Sequence, residues 1–170
     1  MSTRCAVLLL LGACATAPDA PATTHTTRTH ESRPAEETAI STTACDRGDL
    51  PACHAAALDA YYAAPSPDSD TRARTLFERA CEAGYAPSCN GLGTLHDQGR
   101  GVPLDHARAV ALYRRACTAD GSTGCQHLAQ ALHLGRGVAK DEAAAQRAET
   151  RGTCLAEAAP AKDPTPCPPL

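Results

Sequence analysis

In the central part of the chain, apolar side chains recur at three- and four-residue steps, as in Leu92, Leu95 and then Ala109, Val110, Leu112, Tyr113 and Ala116. That spacing lines one face of a helix, and glycine or proline interrupts it at short intervals. The pattern predicts first helices over Cys53–Tyr62, Cys89–Gln98 and Cys125–Leu134, and a second helix over Asp105–Ala116. Asp105 and Asp141 stand where a carboxylate can cap free backbone N–H groups at a helix start. Small residues at Gly93, Ala109, Ala116 and Ala129 allow close helix approach, with the larger apolar side chains filling the gaps. A shift of 36 residues superposes Gly99-Arg-Gly-Val102 on Gly135-Arg-Gly-Val138, Asp105 on Asp141, and Leu76-Phe77-Glu-Arg-Ala80 on Leu112-Tyr113-Arg-Arg-Ala116. A period of that length holds two short helices and two turns, so the chain predicts an all-α solenoid of about three helical hairpins. In the first repeat, Ala63-Ala-Pro-Ser-Pro-Asp-Ser-Asp70 replaces the Gly-x-Gly-Val turn, a deviation expected of a terminal repeat.

Cysteines follow the same ruler. Cys45 with Cys53, Cys81 with Cys89, and Cys117 with Cys125 are eight positions apart, and each pair starts 36 residues after the last. In one continuous helix, residues eight apart are about 12 Å apart along the axis, beyond the roughly 7 Å limit for bridged α-carbons. The chain must therefore turn inside each pair, and all three intervening segments contain Gly or Pro. With Cys154 and Cys167 the body carries eight cysteines, an even number in a regular array, which favours four disulfides over metal ligation. Each staple is expected to join the end of one helix to the start of the next.

The composition makes such staples valuable. The chain has 170 residues, five aromatic side chains and a core of alanine and leucine, enough for one small domain with little buried area per residue. A net charge of −3, with arginines scattered among acidic residues, leaves no footprint for nucleic acid.

Both ends read as something other than packed domain. Arg4, the apolar run Ala6–Leu11 and Leu11-Gly-Ala-Cys14 have the order of an export signal, with an apolar stretch too short to span a bilayer. The quartet resembles the lipobox of bacterial lipoproteins, which implies cleavage before Cys14 and lipidation there, with Ala15 at the position that resembles outer-membrane sorting. An ordinary secretory signal cut near Ala13 to Ala17 is the alternative. The expected organisation is a signal at 1–13, lipidated Cys14 and a Thr/Ala/Pro-rich tether at 14–44, the repeat body at 45–158, and a Pro-rich tail at 159–170.

The Leu-Gly of the first helix, the Gly-Arg-Gly-Val-x-x-Asp turn and the Tyr-Arg-Arg-Ala-Cys ending together resemble the Sel-one-like repeat family, relatives of tetratricopeptide repeats. The eight-residue cysteine pairs resemble the narrower Hcp-type cysteine-rich repeat proteins over roughly Cys45 to Cys154. The resemblance implies a right-handed α/α solenoid with one disulfide per hairpin. The match weakens after Glu142, where Glu149 takes the aromatic position and Gly152 that of Ala116.

For function, the resemblance implies an adaptor that holds a protein or peptide of the bacterial envelope on a concave surface, without chemistry or cofactor of its own. The candidate contact residues there are Asn90, Thr94, Asp97, Gln126 and Gln130. A beta-lactamase-like or penicillin-binding role, described for some Hcp-type proteins, is the alternative; no serine has a lysine three residues on, and Lys140 and Lys162 are the only lysines. The body histidines, His54, His96, His106, His127 and His133, are spread singly, which argues against a metal site. His96, beside Asp97 near a turn, reads as exposed.

Overall fold

The computed structural model describes residues 42–119, 121–161 and 167–170. A single helical turn, α1 (42–46), precedes α2 (Leu50–Tyr62), α3 (Pro67–Glu82), α4 (Ala86–Gln98), α5 (His106–Thr118), α6 (Ser122–Leu134) and α7 (Glu142–Ala161). The last six form three hairpins, α2–α3, α4–α5 and α6–α7, stacked into a right-handed α/α solenoid. The first helix of each hairpin, α2, α4 or α6, lies on the inner side, where α4 meets α6 directly. The signal segment, Cys14 and the tether up to residue 41 lie outside the described residues, although helix begins at residue 42, inside the span assigned to the tether. At the other end α7 runs to Ala161, past the expected boundary at 158.

Each inner helix starts three residues earlier than the periodicity predicts. Pro51 and Pro87 sit in the first turn of α2 and α4, where a missing N–H costs nothing, so the helix nucleates ahead of the cysteine. The first-repeat segment expected as a turn is also shorter, because Ser66 and Ser69 form a reciprocal capping box that starts α3 at Pro67. Asp49, Asp105 and Asp141 cap α2, α5 and α7 by accepting from Ala52, Arg108 and Ala144 N–H groups.

By contrast α4 and α6 have no side-chain cap. The starts of all three inner helices are held covalently: the Cys45–Cys53, Cys81–Cys89 and Cys117–Cys125 bridges join helix end to helix start with α-carbons 4.5, 4.6 and 4.5 Å apart. These six cysteines are at most 1% exposed and belong to the core. Gly48 and Gly84 make the reversals possible, at φ 93° and 91°, a region that costs glycine nothing.

Close approach replaces bulk between helices. The Phe77 ring lies on Gly91, where an added Cβ would stand 2.6 Å from Cε1, and the Tyr113 ring covers Gly93 in the same way at 2.6 Å. Two arginine ladders then tie repeat to repeat. Arg79, Arg115 and Arg151 recur at 36 residues, and each donates to the end of the preceding outer helix: Arg79 to the Asp46 carbonyl, Arg115 to Cys81 (2.8 Å) and Arg151 to Cys117 (3.2 Å). A cation there satisfies free carbonyls and meets the negative end of the helix dipole. In the second ladder, Arg100 stacks on the Tyr61 ring (4.5 Å) and bonds Asp70 (2.5 Å), and Arg136 reaches Asp97 at 3.0 Å. The third repeat has His133 at this position, bonded to Glu142 (3.0 Å) and Glu149 (2.9 Å). Glu149 thus substitutes a paired carboxylate for the aromatic of Phe77 and Tyr113, giving the final repeat a polar outer side.

Gly93→Ala is expected to lower stability by about 1–3 kcal/mol, because the methyl meets an aromatic ring that is itself confined. Urea unfolding of the variant measures this; an unchanged midpoint would show that the ring can yield.

Candidate functional site

A recess of about 540 Å³ lies where the inner helices meet the turns between repeats, bounded by His54 and Leu58 of α2, the Tyr85–Pro87 and Gly121–Gly124 segments, and Asn90 of α4. It therefore draws on all three repeats. Its walls combine apolar surface with an imidazole, an amide and hydroxyls, and among the described residues none of its lining is acidic or basic apart from His54.

Histidines hold this recess in shape. His54 lies between the Phe77 and Tyr85 rings, 5.6 Å from each, with Nδ1 3.1 Å from the Ser88 hydroxyl. Ser88 is fully buried, so this Ser–His pair offers no accessible nucleophile. His127 packs on Tyr113 at 4.9 Å, and its Nδ1 is 2.7 Å from Asn90 Oδ1. An amide oxygen only accepts, so His127 donates from Nδ1 and fixes which way Asn90 presents its amide.

The five candidate contact residues do not form one patch. Asn90 lines the recess. Thr94 is half-buried and donates to the Asn90 carbonyl at 3.1 Å. Asp97 is engaged on both oxygens, accepting from His106 Nδ1 at 2.8 Å and from Arg136 at 3.0 Å, so its charge serves the stack. Gln130 borders a small crevice beside Asp97 and His127, and Gln126 faces a separate groove between α6 and α7. Sequence reasoning missed His54, Tyr85 and His127. The 36-residue alignment could have found one of them, since His54 occupies the position of Asn90 and Gln126 in its own repeat.

Among the described residues no three His, Cys, Asp or Glu side chains come together as a metal set, and no helix is long and apolar enough to cross a membrane. The two carboxylates at His133 approach opposite ring nitrogens and do not converge.

The family model described as Sel1 repeat matches residues 51–85, 86–121 and 122–147, the three hairpins seen here. The chain belongs to the Sel1 repeat family. No curated protein matches it. Among solved structures, this Sel1 array is similar to c5321, a protective antigen of uropathogenic Escherichia coli with an SLR fold (23% identity, TM-score 0.62), over 75% of this chain and 29% of that one. It is similar to Helicobacter pylori cysteine rich protein B at 22% identity and TM-score 0.58, over 71% of this chain and 86% of that one. A Sel1 repeat protein from Oxalobacter formigenes gives 23% identity and TM-score 0.63, over 69% and 34%. The array thus spans less than a third of the length of the protective antigen. At these identities the likeness is one of fold.

His96 corrects the reading of an exposed side chain: it is only 7% exposed, with Nδ1 buried and unpartnered among the described residues. It sits where the third repeat has Leu132, beneath the Gly99–Asp105 turn, whose Asp105 N–H bonds its carbonyl at 2.9 Å. Burial lowers its pKa, with Arg108 adding to the effect and the Pro103 carbonyl opposing it. Burial likewise lowers the pKa of His54 and of His127. His133 goes the other way, raised by its hydrogen bonds to Glu149 and Glu142.

The signs follow from linkage. Groups with a lowered folded pKa bind a proton more readily when unfolded, so their cost develops as pH falls from about 6.5 toward each folded value. The His133 contribution is full below about 6.5 and fades as pH rises through its raised value, but that side chain is exposed to solvent. The urea midpoint is therefore expected to be lower at pH 5 than at pH 8, and His96→Leu to flatten that slope. Equal midpoints, or an unchanged slope in the variant, would contradict the assignment.

Proposed function

We propose that the concave face of the array holds an extended segment of a protein partner, without catalysis, and that the chain works in the bacterial envelope. The observation that carries the reading is a recess built by all three repeats, in which His54, the one acidic or basic side chain among the described lining residues, has its pKa lowered by burial, while the charges of Asp97, Arg100 and Arg136 are paired within the stack. Such a surface offers hydrogen bonds and apolar contact to a peptide backbone while imposing little charge preference. The Asn90 amide, oriented by His127, is the best-placed polar contact. Exported location is supported by four disulfides, which persist in oxidising compartments, and by the Leu11-Gly-Ala-Cys14 signal, where lipidation at Cys14 would anchor the tether.

Cross-linking in intact cells followed by mass spectrometry is expected to recover an envelope protein with the native chain. Asn90→Ala combined with Leu58→Asp should reduce its yield about tenfold, from one lost hydrogen bond and a charge placed in the recess. Recovery that is equal in the variant, with its helical content intact, would move the binding surface elsewhere.

A further inference from the structure

Three of the four disulfides are sealed, their cysteines at most 1% exposed. The fourth, Cys154–Cys167, differs in setting and in what it joins. Both residues are partly exposed, and Cys154 lines an open groove of about 610 Å³ between α6 and α7, together with Glu149 and Glu157. Cys154 lies within α7, and Cys167 begins the C-terminal residues 167–170, so the bond connects no two helices of the stack. Those residues have a further hold: Arg151 donates to the carbonyls of Cys167 (3.4 Å) and Pro168 (2.7 Å) while keeping its bond to Cys117 in the preceding repeat.

We propose that Cys154–Cys167 is a site of reversible thiol–disulfide exchange with a dithiol reductant, and that its reduction frees residues 167–170 while the helical stack stays closed. The attacking thiolate reaches the Cys154 sulfur from the groove, forms a mixed disulfide there, and expels Cys167 as a thiolate. That direction follows from access: Cys154, and not Cys167, lines the open groove, so an external thiolate meets Cys154 first and Cys167 is the group expelled. The second thiol of the reductant then attacks its own sulfur in the mixed disulfide and releases Cys154. Two electrons pass from the dithiol, which leaves as a disulfide, and the two cysteine sulfurs each gain a proton from solvent. The three sealed bridges exchange only when their own repeat opens, a slower route.

The test uses the full chain with dithiothreitol under native conditions, quenched at intervals by alkylation and mapped by mass spectrometry. Cys154 and Cys167 are expected to be labelled about a hundredfold faster than the other six, with helical circular dichroism unchanged and hydrogen exchange rising at residues 167–170. Labelling of all eight cysteines together, or loss of helical signal in step with the first pair, would overturn the proposal. A monothiol trapped at early times should be found on Cys154; finding it on Cys167 would overturn the route. In Cys154→Ser/Cys167→Ser the helical signal should persist, and its collapse would show that the bond supports the fold itself.

Discussion

Everything in this array depends on an eight-residue cross-link that reverses the chain between one helix and the next. The core it serves is built mainly from alanine, leucine and cystine, with Phe77 and Tyr113 as its buried rings. Alanine side chains remove little apolar area from water, and a small stack has a high surface-to-volume ratio, so burial alone leaves the hairpins weakly fixed. The bridges contribute roughly 2 to 3 kcal/mol each by restricting the unfolded chain. At α4 and α6, whose N-cap residues Tyr85 and Gly121 make no side-chain cap, the bridge is the link that fixes the helix start, and at α2 it acts beside the Asp49 cap.

Repeat-to-repeat cohesion comes from a different source. Two arginines per period reach across the boundary, one to the carbonyls that end the preceding outer helix and one to an aromatic ring or carboxylate near its inner helix. Because those charges are consumed between repeats, the inner face is left to imidazole, amide and hydroxyl groups around an open recess. In the third repeat Glu149 stands where Phe77 and Tyr113 stand in the first two, and it meets His133.

Much of this was legible in the sequence because a fixed period is hard to produce by chance. Cysteine spacing and the repeated Gly-Arg-Gly-Val turn were enough to place the hairpins and the reversals between them. The starts of α2 and α4 were displaced by three residues, since proline in a first turn helps a helix as readily as it ends one. The site was less legible. Asp97 looked available as a contact residue, but the guanidinium that occupies it belongs to Arg136, 39 positions away. His96 looked exposed because a histidine near a turn usually is, and only packing beneath the Gly99–Asp105 segment buries it. The arginine ladders were visible as spacing, yet their acceptors are backbone carbonyls, which carry no signature in residue type.

The claim that covalent staples, more than apolar burial, hold the hairpins in place is tested most directly by comparing the oxidised chain with one fully reduced and alkylated under denaturing conditions, then returned to native buffer. The account predicts that the alkylated chain has weak, non-cooperative helical signal and fast amide exchange throughout α2 to α7. A reduced chain that regains cooperative urea unfolding, with stability within about 1 kcal/mol of the oxidised form, would contradict it.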